Sequence, residues 1–212
     1  MELTIAVIAK ECVPGRVKTR LTPPLSPAQS AALAQTSLSQ TLDRVRSLPA
    51  SRRLLVMDGT PLPSDALGFE VHPQVGGGLD ERLAAICTLT AGPLLIVGMD
   101  TPQLSAGLLA PVLKPFRGAW LGPASDGGFW ALALARPDGA LIRGVEMSTS
   151  HTGADLAAMI AGAGIDLGFL PELTDVDDAA AALDAARECP GSPFAAHVAA
   201  IEDFLLEPAM AS

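Results

Sequence analysis

Short apolar runs alternate with amphipathic stretches along most of the chain. Leu3–Ala9 is a near-continuous, β-branched run, the pattern of a strand buried on both faces of a parallel sheet. Shorter runs at Arg53–Met57, Phe69–His72, Pro93–Gly98, Ala119–Leu121, Phe129–Ala135 and Leu167–Leu170 predict further strands. Ser26, Pro27 and Gln29 form a capping-box start with Pro at the first helical position. Ala31, Leu33, Ala34, Leu38, Leu42 and Val45 then carry an apolar stripe to about Ser47. Helices are also predicted over Leu79–Thr90, His151–Ala163, Asp177–Arg187 and Phe194–Leu206. Ser105 opens one more, to about Lys114, in which Pro111 predicts a kink or an early stop.

Strands and helices in this order predict an α/β sheet covered by helices on both faces. No internal repeat or long linker interrupts the order, so residues 1–212 read as a single domain. Such sheets bind ligands beyond the carboxyl ends of their strands, so chemistry is expected in the segments that follow strands. Composition sharpens this picture. A chain of 212 residues, 49% hydrophobic and 17% charged, can bury a sizeable core and is not a disordered one. A net charge of −9 repels a nucleic-acid backbone, and 4% aromatics without Tyr offer no stacking platform, so no nucleic-acid partner is expected. No apolar stretch approaches the ~20 residues of a membrane-spanning helix. Glu2 stands where a signal peptide would be positive, which predicts a cytoplasmic protein. Cys12, Cys87 and Cys189 have neither disulfide nor zinc-site spacing. His72 and His197 have no sequence partners and read as structural.

Five segments after predicted strands carry candidate chemistry. The first, Lys10 to Leu21, holds Lys10, Arg16, Lys18 and Arg20 against the single acid Glu11, and two of the chain's three lysines. Clustered cations, with Gly15 to let the backbone approach, suit a polyphosphate, although the spacing is not that of a Walker loop. A solvated basic turn is the alternative. Asp100 follows the most hydrophobic strand and is placed to hold a divalent ion against a diphosphate, or simply to cap the Asp100-Thr101-Pro102 turn. Asp126-Gly127-Gly128 reads either as a hairpin turn or as a site for a sugar or base. His151 opens a helix as a cap or as a metal or phosphate ligand, and Asp175-Val176-Asp177 suits a helix N-terminus. Gly76 to Arg82 starts a helix and lies within reach of a substrate, or is only a flexible entry.

In combination these segments resemble a family of small bacterial transferases with a GT-A-type, nucleotide-diphospho-sugar transferase fold. Its members are glycosyltransferases of the arsenosugar-biosynthesis type, related to 2-phospholactate guanylyltransferase. The family pattern K-x-P-x-P-G-x-V-K-T-R-L is matched by Lys10, Pro14, Gly15, Val17, Lys18, Thr19, Arg20 and Leu21, with Cys12 in place of a proline. G-x-D-x-P-x-L matches from Gly98 to Leu104, and L-G-P-A-x-D-G-G-[FY] from Leu121 to Phe129. A G-D-L-G-E-R-[LM] segment is similar to Gly77–Leu83, departing at Gly78 and Asp80. The family's W-S-T becomes Met147-Ser148-Thr149, and D-V-D matches at Asp175–Asp177. The resemblance covers roughly residues 3–180.

The resemblance implies a three-layer α/β GT-A fold with a mostly parallel central sheet. It implies a nucleotide held by Lys10, Pro14, Gly15, Lys18 and Arg20, and a substrate near Asp126, Gly127, Gly128, Ser148 and Thr149. Mg2+ or Mn2+ is expected on Asp100, with Asp126 and His151 as further candidate ligands. Lys18, Arg20, Asp100 and Asp126 are the candidate catalytic residues. The expected partners are a nucleotide or nucleotide-sugar and a small-molecule acceptor. Glycosyl transfer from a nucleotide-diphospho-sugar is the first expectation. Nucleotidyl transfer from a triphosphate, for which clustered cations are physically suited, is the second, and nucleotide binding without catalysis the third.

Overall fold

The computed structural model describes residues 2–206. The first strand, β1 (Thr4–Lys10), enters a basic loop containing a single 3-10 turn at Thr19–Leu21, which leads to α1 (Pro27–Ser47). The predicted capping box starts this helix: the Ser26 hydroxyl accepts from the Gln29 N–H, and the Gln29 side chain accepts from the Ser26 N–H. β2 (Arg52–Asp58), a single turn α2 (Pro63–Ala66), β3 (Glu70–Pro73), α3 (Leu79–Ile86) and β4 (Leu94–Val97) follow. β5 (Ala119–Pro123) and β6 (Phe129–Leu134) form a hairpin. The chain then runs through α4 (Thr152–Gly162), β7 (Leu167–Phe169), α5 (Ala179–Glu188), α6 (Pro193–Ala200) and α7 (Glu202–Leu206).

The seven strands make one sheet in the order β3-β2-β1-β4-β6-β5-β7. β6 runs antiparallel to both its neighbours, and every other pairing is parallel. Alternate side chains of β1, β2 and β4 enter separate cores. Ile5, Val7, Leu95 and Val97 pack with Leu38, Leu42 and Val45 of α1. Ala6, Leu54, Leu94 and Ile96 pack on the other face with Leu83 and Ile86 of α3 and Leu156 and Ile160 of α4. Apolar cover on both faces accounts for the unbroken apolar runs of β1 and β4 and gives the three layers. A third core joins Leu21, Leu25 and Leu33 to Phe194, Val198 and Leu205 of the closing helices.

Residues 105–114 do not form the predicted helix. They run as successive turns, in which Ala110 donates to the Gly107 carbonyl and Val112 to Leu109. Pro111 has no N–H to extend a helix from Ser105, and Gly107 lowers its propensity further. The predicted Phe194–Leu206 helix is two, α6 and α7, separated at Ile201. Asp177 lies outside α5, whose cap is Asp178 through the Ala181 N–H. The predicted Leu79–Thr90 helix ends as α at Ile86 and continues as one 3-10 turn to Leu89. Among the described residues no helix is long and apolar enough to cross a membrane.

Candidate active site

The carboxyl ends of β1 and β4, together with the start of β6, open on a cleft of about 710 Å³. Lys18 is bent toward it by a left-handed backbone, φ 47° and ψ 43°, at the cap of the 3-10 turn. Its Nζ lies 2.6 Å from Asp100 Oδ1 and 3.0 Å from Asp177 Oδ1. Arg20 reaches the other oxygen of Asp177, with Nη1 3.3 Å from Oδ2. The two cations differ sharply in setting, since the Lys18 side chain is 7% exposed and that of Arg20 78%. Burial pulls the Lys18 ammonium toward neutrality, but Asp100 and Asp177 outweigh it and hold its pKa above the ordinary lysine value.

Asp100 is fixed from behind by polar residues of α1. Ser37 Oγ donates to the Met99 carbonyl at 2.8 Å, and Gln40 Nε2 donates to the Pro102 carbonyl at 2.7 Å. These buried side chains grip the backbone on either side of the carboxylate. The same loop is tied to the Asp175 segment. Val176 N–H donates to the Asp100 carbonyl and Gln103 Nε2 to the Thr174 carbonyl. Ser37, Gln40 and Gln103 carried no functional signal in sequence beyond being polar residues on apolar-patterned segments.

Asp175 sits in the cleft lining with Oδ1 buried and unpartnered. Its pKa is pushed up to about 7, first by burial and then by the nearby Asp100 carboxylate. An orphaned carboxylate oxygen beside a second acid is a donor set that fits a hard divalent cation. Among the described residues no three His, Cys, Asp or Glu side chains form a ready-made metal cage. A cation here would therefore take Asp100 and Asp175 from the protein and its remaining ligands from phosphate and water, the usual habit of Mg2+.

The far wall of the cleft is built differently. Asp126 Oδ1 accepts from the Gly128 N–H at 2.8 Å, inside the β5–β6 turn closed by Gly127 N–H to the Ala124 carbonyl. Gly127 has φ +89°, and a Cβ there would stand 1.9 Å from the Ser150 carbonyl oxygen. Its absence of a side chain is thus required by backbone contact, and Gly127 does not line the cleft. Ser148, also left-handed at φ 61°, and Thr149 do line it. Buried Thr152 holds their turn by donating to the Glu146 carbonyl and accepting from the Thr149 N–H. Trp130 is 2% exposed, with its indole N–H on the Pro171 carbonyl and its ring against Gly122.

The cleft lining thus gathers Lys10, Lys18, Arg20 and Asp100, and across from them Asp126, Gly128, Ser148 and Thr149. Pro14, Gly15 and His151 are not among the lining residues. His151 is held on the surface, with Nδ1 2.7 Å from Asp155 Oδ2 and 3.2 Å from Thr149 Oγ1. Asp175 and Asp177, which in sequence suit a helix start and match the D-V-D motif, both line the cleft. Arg82, from the Gly76–Arg82 segment, also lines the cleft, anchored on the Gly77 carbonyl, Asp58 and Gln74. His72 lies 4.0 Å from Glu70, and His197 shares a hydrogen bond with Thr36, both away from the cleft.

A family profile described as "Uncharacterized protein conserved in bacteria (DUF2064)" matches residues 41–149, the stretch that carries Asp100, Asp126 and Ser148. No curated protein sequence matches the chain significantly. Among solved structures, the chain is similar to a protein of Desulfovibrio desulfuricans G20 provisionally described as a nucleotide-diphospho-sugar transferase, at 18% identity over 97% of each chain and a TM-score of 0.85. It is similar to a cytidylyltransferase from Leptospira borgpetersenii serovar Hardjo-bovis at 11% identity, 100% of each chain and a TM-score of 0.55. It also resembles CMP:2-keto-3-deoxy-manno-octonic acid synthetase in complex with CTP, at 12% identity over 88% of this chain and 100% of that one, with a TM-score of 0.53. Likeness at these identities establishes the fold, which is the expected three-layer, mostly parallel α/β architecture.

Proposed function

The chain belongs to the DUF2064 family, and from the chemistry of its cleft we propose that it is a metal-dependent transferase using a nucleotide-activated donor. The reaction proposed is glycosyl transfer from a nucleotide-diphospho-sugar to a hydroxyl of a small acceptor. One observation carries the reading: Lys18, Arg20, Asp100 and the orphaned Asp175 converge at the carboxyl ends of β1 and β4. Cations for phosphate and carboxylates for a metal there meet the needs of a diphosphate.

Arg20, largely exposed and held by Asp177 through one nitrogen, turns its remaining N–H groups to the diphosphate, and Lys18 supplies a second charge from the cleft floor. Mg2+ or Mn2+, held by Asp100 and Asp175, would supply further positive charge to the departing diphosphate. Asp126 has Oδ1 engaged by the Gly128 N–H, which leaves Oδ2 to take the proton of the acceptor hydroxyl. The acceptor oxygen bonds to the sugar's anomeric carbon, and the electron pair of the breaking bond leaves with the nucleoside diphosphate. Ser148, Thr149 and Gly128 flank Asp126 and orient the acceptor.

Charge balance favours this over nucleotidyl transfer. Lys10, Lys18, Arg20 and Arg82 in the lining face Asp100, Asp126 and Asp177, with Asp175 partly protonated near neutral pH, so only a small positive excess remains for a triphosphate. The likeness in fold to a cytidylyltransferase keeps nucleotidyl transfer as the second reading. A thermal-shift screen of nucleoside triphosphates, nucleoside diphosphates and nucleotide-sugars, with Mg2+, Mn2+ or chelator, tests both. Metal-dependent stabilisation by nucleotide-sugars and diphosphates is expected. Stabilisation by triphosphates alone, with pyrophosphate released on turnover, would select the second reading, and no response to any nucleotide would remove both.

A further inference from the structure

The Lys18 ammonium stands where a divalent cation would have to act. It touches Asp100 Oδ1 at 2.6 Å, is almost fully buried, and is held from its other side by Asp177. A divalent ion on the same carboxylate would sit within a few ångströms of this ammonium, whose own side chain is only 7% exposed, and the two cations would repel each other. Asp177, in contrast, has both oxygens turned to the basic loop, one to Lys18 and one to Arg20.

We propose that Lys18 is an internal competitor for the cation position at Asp100, and that Asp177 is the positioning residue that keeps its ammonium in the cleft once a divalent cation displaces it. The site therefore takes a cation and a diphosphate together, as one complex, and takes the free cation poorly. Displaced from Asp100, the ammonium needs an anion to replace the one it loses, and the incoming diphosphate is that anion. This inference rests on the reading above that a metal uses Asp100.

The test uses the full chain with two probes, Mn2+ alone, followed by electron paramagnetic resonance, and inorganic pyrophosphate, followed by calorimetry with Mn2+ or with chelator. Wild type should bind Mn2+ alone weakly and pyrophosphate more tightly when Mn2+ is present. Lys18→Met should bind Mn2+ alone about tenfold tighter or better. Asp177→Asn, which retains the ammonium, should lower pyrophosphate affinity about fivefold with Mn2+ and leave it unchanged with chelator. If wild type shows a Mn2+-dependent gain but Lys18→Met binds Mn2+ no tighter, the competition is refuted while the metal reading stands. If pyrophosphate affinity in wild type is the same with Mn2+ and chelator, the metal reading fails and this inference with it. Should Lys18→Met not fold, Asp177→Asn decides: a loss confined to Mn2+ supports the proposal, and equal loss with and without Mn2+ overturns it.

Discussion

On one side of the cleft, Lys18 and Arg20 meet Asp177 through side chains from segments 159 and 157 positions apart. On the other, Asp126–Gly128 and Ser148–Gly153 meet backbone to backbone, with Gly153 N–H on the Gly127 carbonyl at 2.8 Å and Gly127 against Ser150. The first wall is held by charges that a ligand can rearrange. The second is held by shape, and its residues have little freedom to move. Binding that responds to metal is expected from the first wall, and fixed orientation of a substrate from the second.

The contrast can be broken first where the expected effect is largest. Gly127→Val forces a Cβ to within 1.9 Å of the Ser150 oxygen at a left-handed φ, so it should destabilise the protein by about 3 kcal/mol or more. A melting curve checks this. A normal Tm with lost turnover would show that Gly127 faces a substrate after all, contrary to its placement.

The next effect belongs to the charged wall. Asp175 titrates near 7 when folded, against an ordinary carboxyl value of 3.8 when unfolded. Between these values the folded state holds the proton that the unfolded chain has lost, so metal-free stability should fall as pH rises from about 4 to about 7. The fall should be on the order of 2–4 kcal/mol, roughly 5–10 °C in Tm. Asp175→Asn should flatten this slope, and an unchanged slope in the variant would place its cause elsewhere.

Lys18 and Arg20 sharpen the comparison within that wall. Each substitution to Ala should weaken nucleotide binding about tenfold. Lys18→Ala should also lower Tm, because it leaves Asp100 and Asp177 facing each other, whereas Arg20→Ala should leave Tm unchanged. Equal Tm losses would contradict the buried and exposed placements. The smallest effect is expected at His151, whose substitution by Ala should change stability by about 0.5 kcal/mol or less. It should also leave metal-dependent binding intact; lost metal dependence would restore it as a ligand.

Much of the fold was legible because the strands are buried on both faces and α1 carries its capping box and stripe in one continuous stretch. The segment 105–114 differs from its reading because Ser105 is a plausible cap, while Pro111 has no N–H to carry the helix on and Gly107 weakens it through backbone entropy. Within the site, Lys18, Arg20, Asp100 and Asp126 stand in motifs directly after strands and were visible there. Asp175 and Asp177 were legible only as a short matching motif, since acids before a helix also have an ordinary local explanation, and the return of the chain beside β4 is what brings them to the cleft. Ser37 and Gln40 were hidden for a related reason. Polar residues in a helix are unremarkable until the loop they grip is known.

Metal-linked nucleotide binding through Asp100 is the central claim, and Asp100→Asn tests it most directly because Asn keeps the size and the turn-capping ability while removing the anionic ligand. A nucleoside diphosphate is titrated against wild type and variant, with Mn2+ and with chelator. Wild type should bind it about tenfold or more tightly with Mn2+ than with chelator, and Asp100→Asn should bind equally in both. An equal Mn2+ enhancement in the two proteins would contradict the account and leave Asp100 as the cap of a turn and the partner of Lys18.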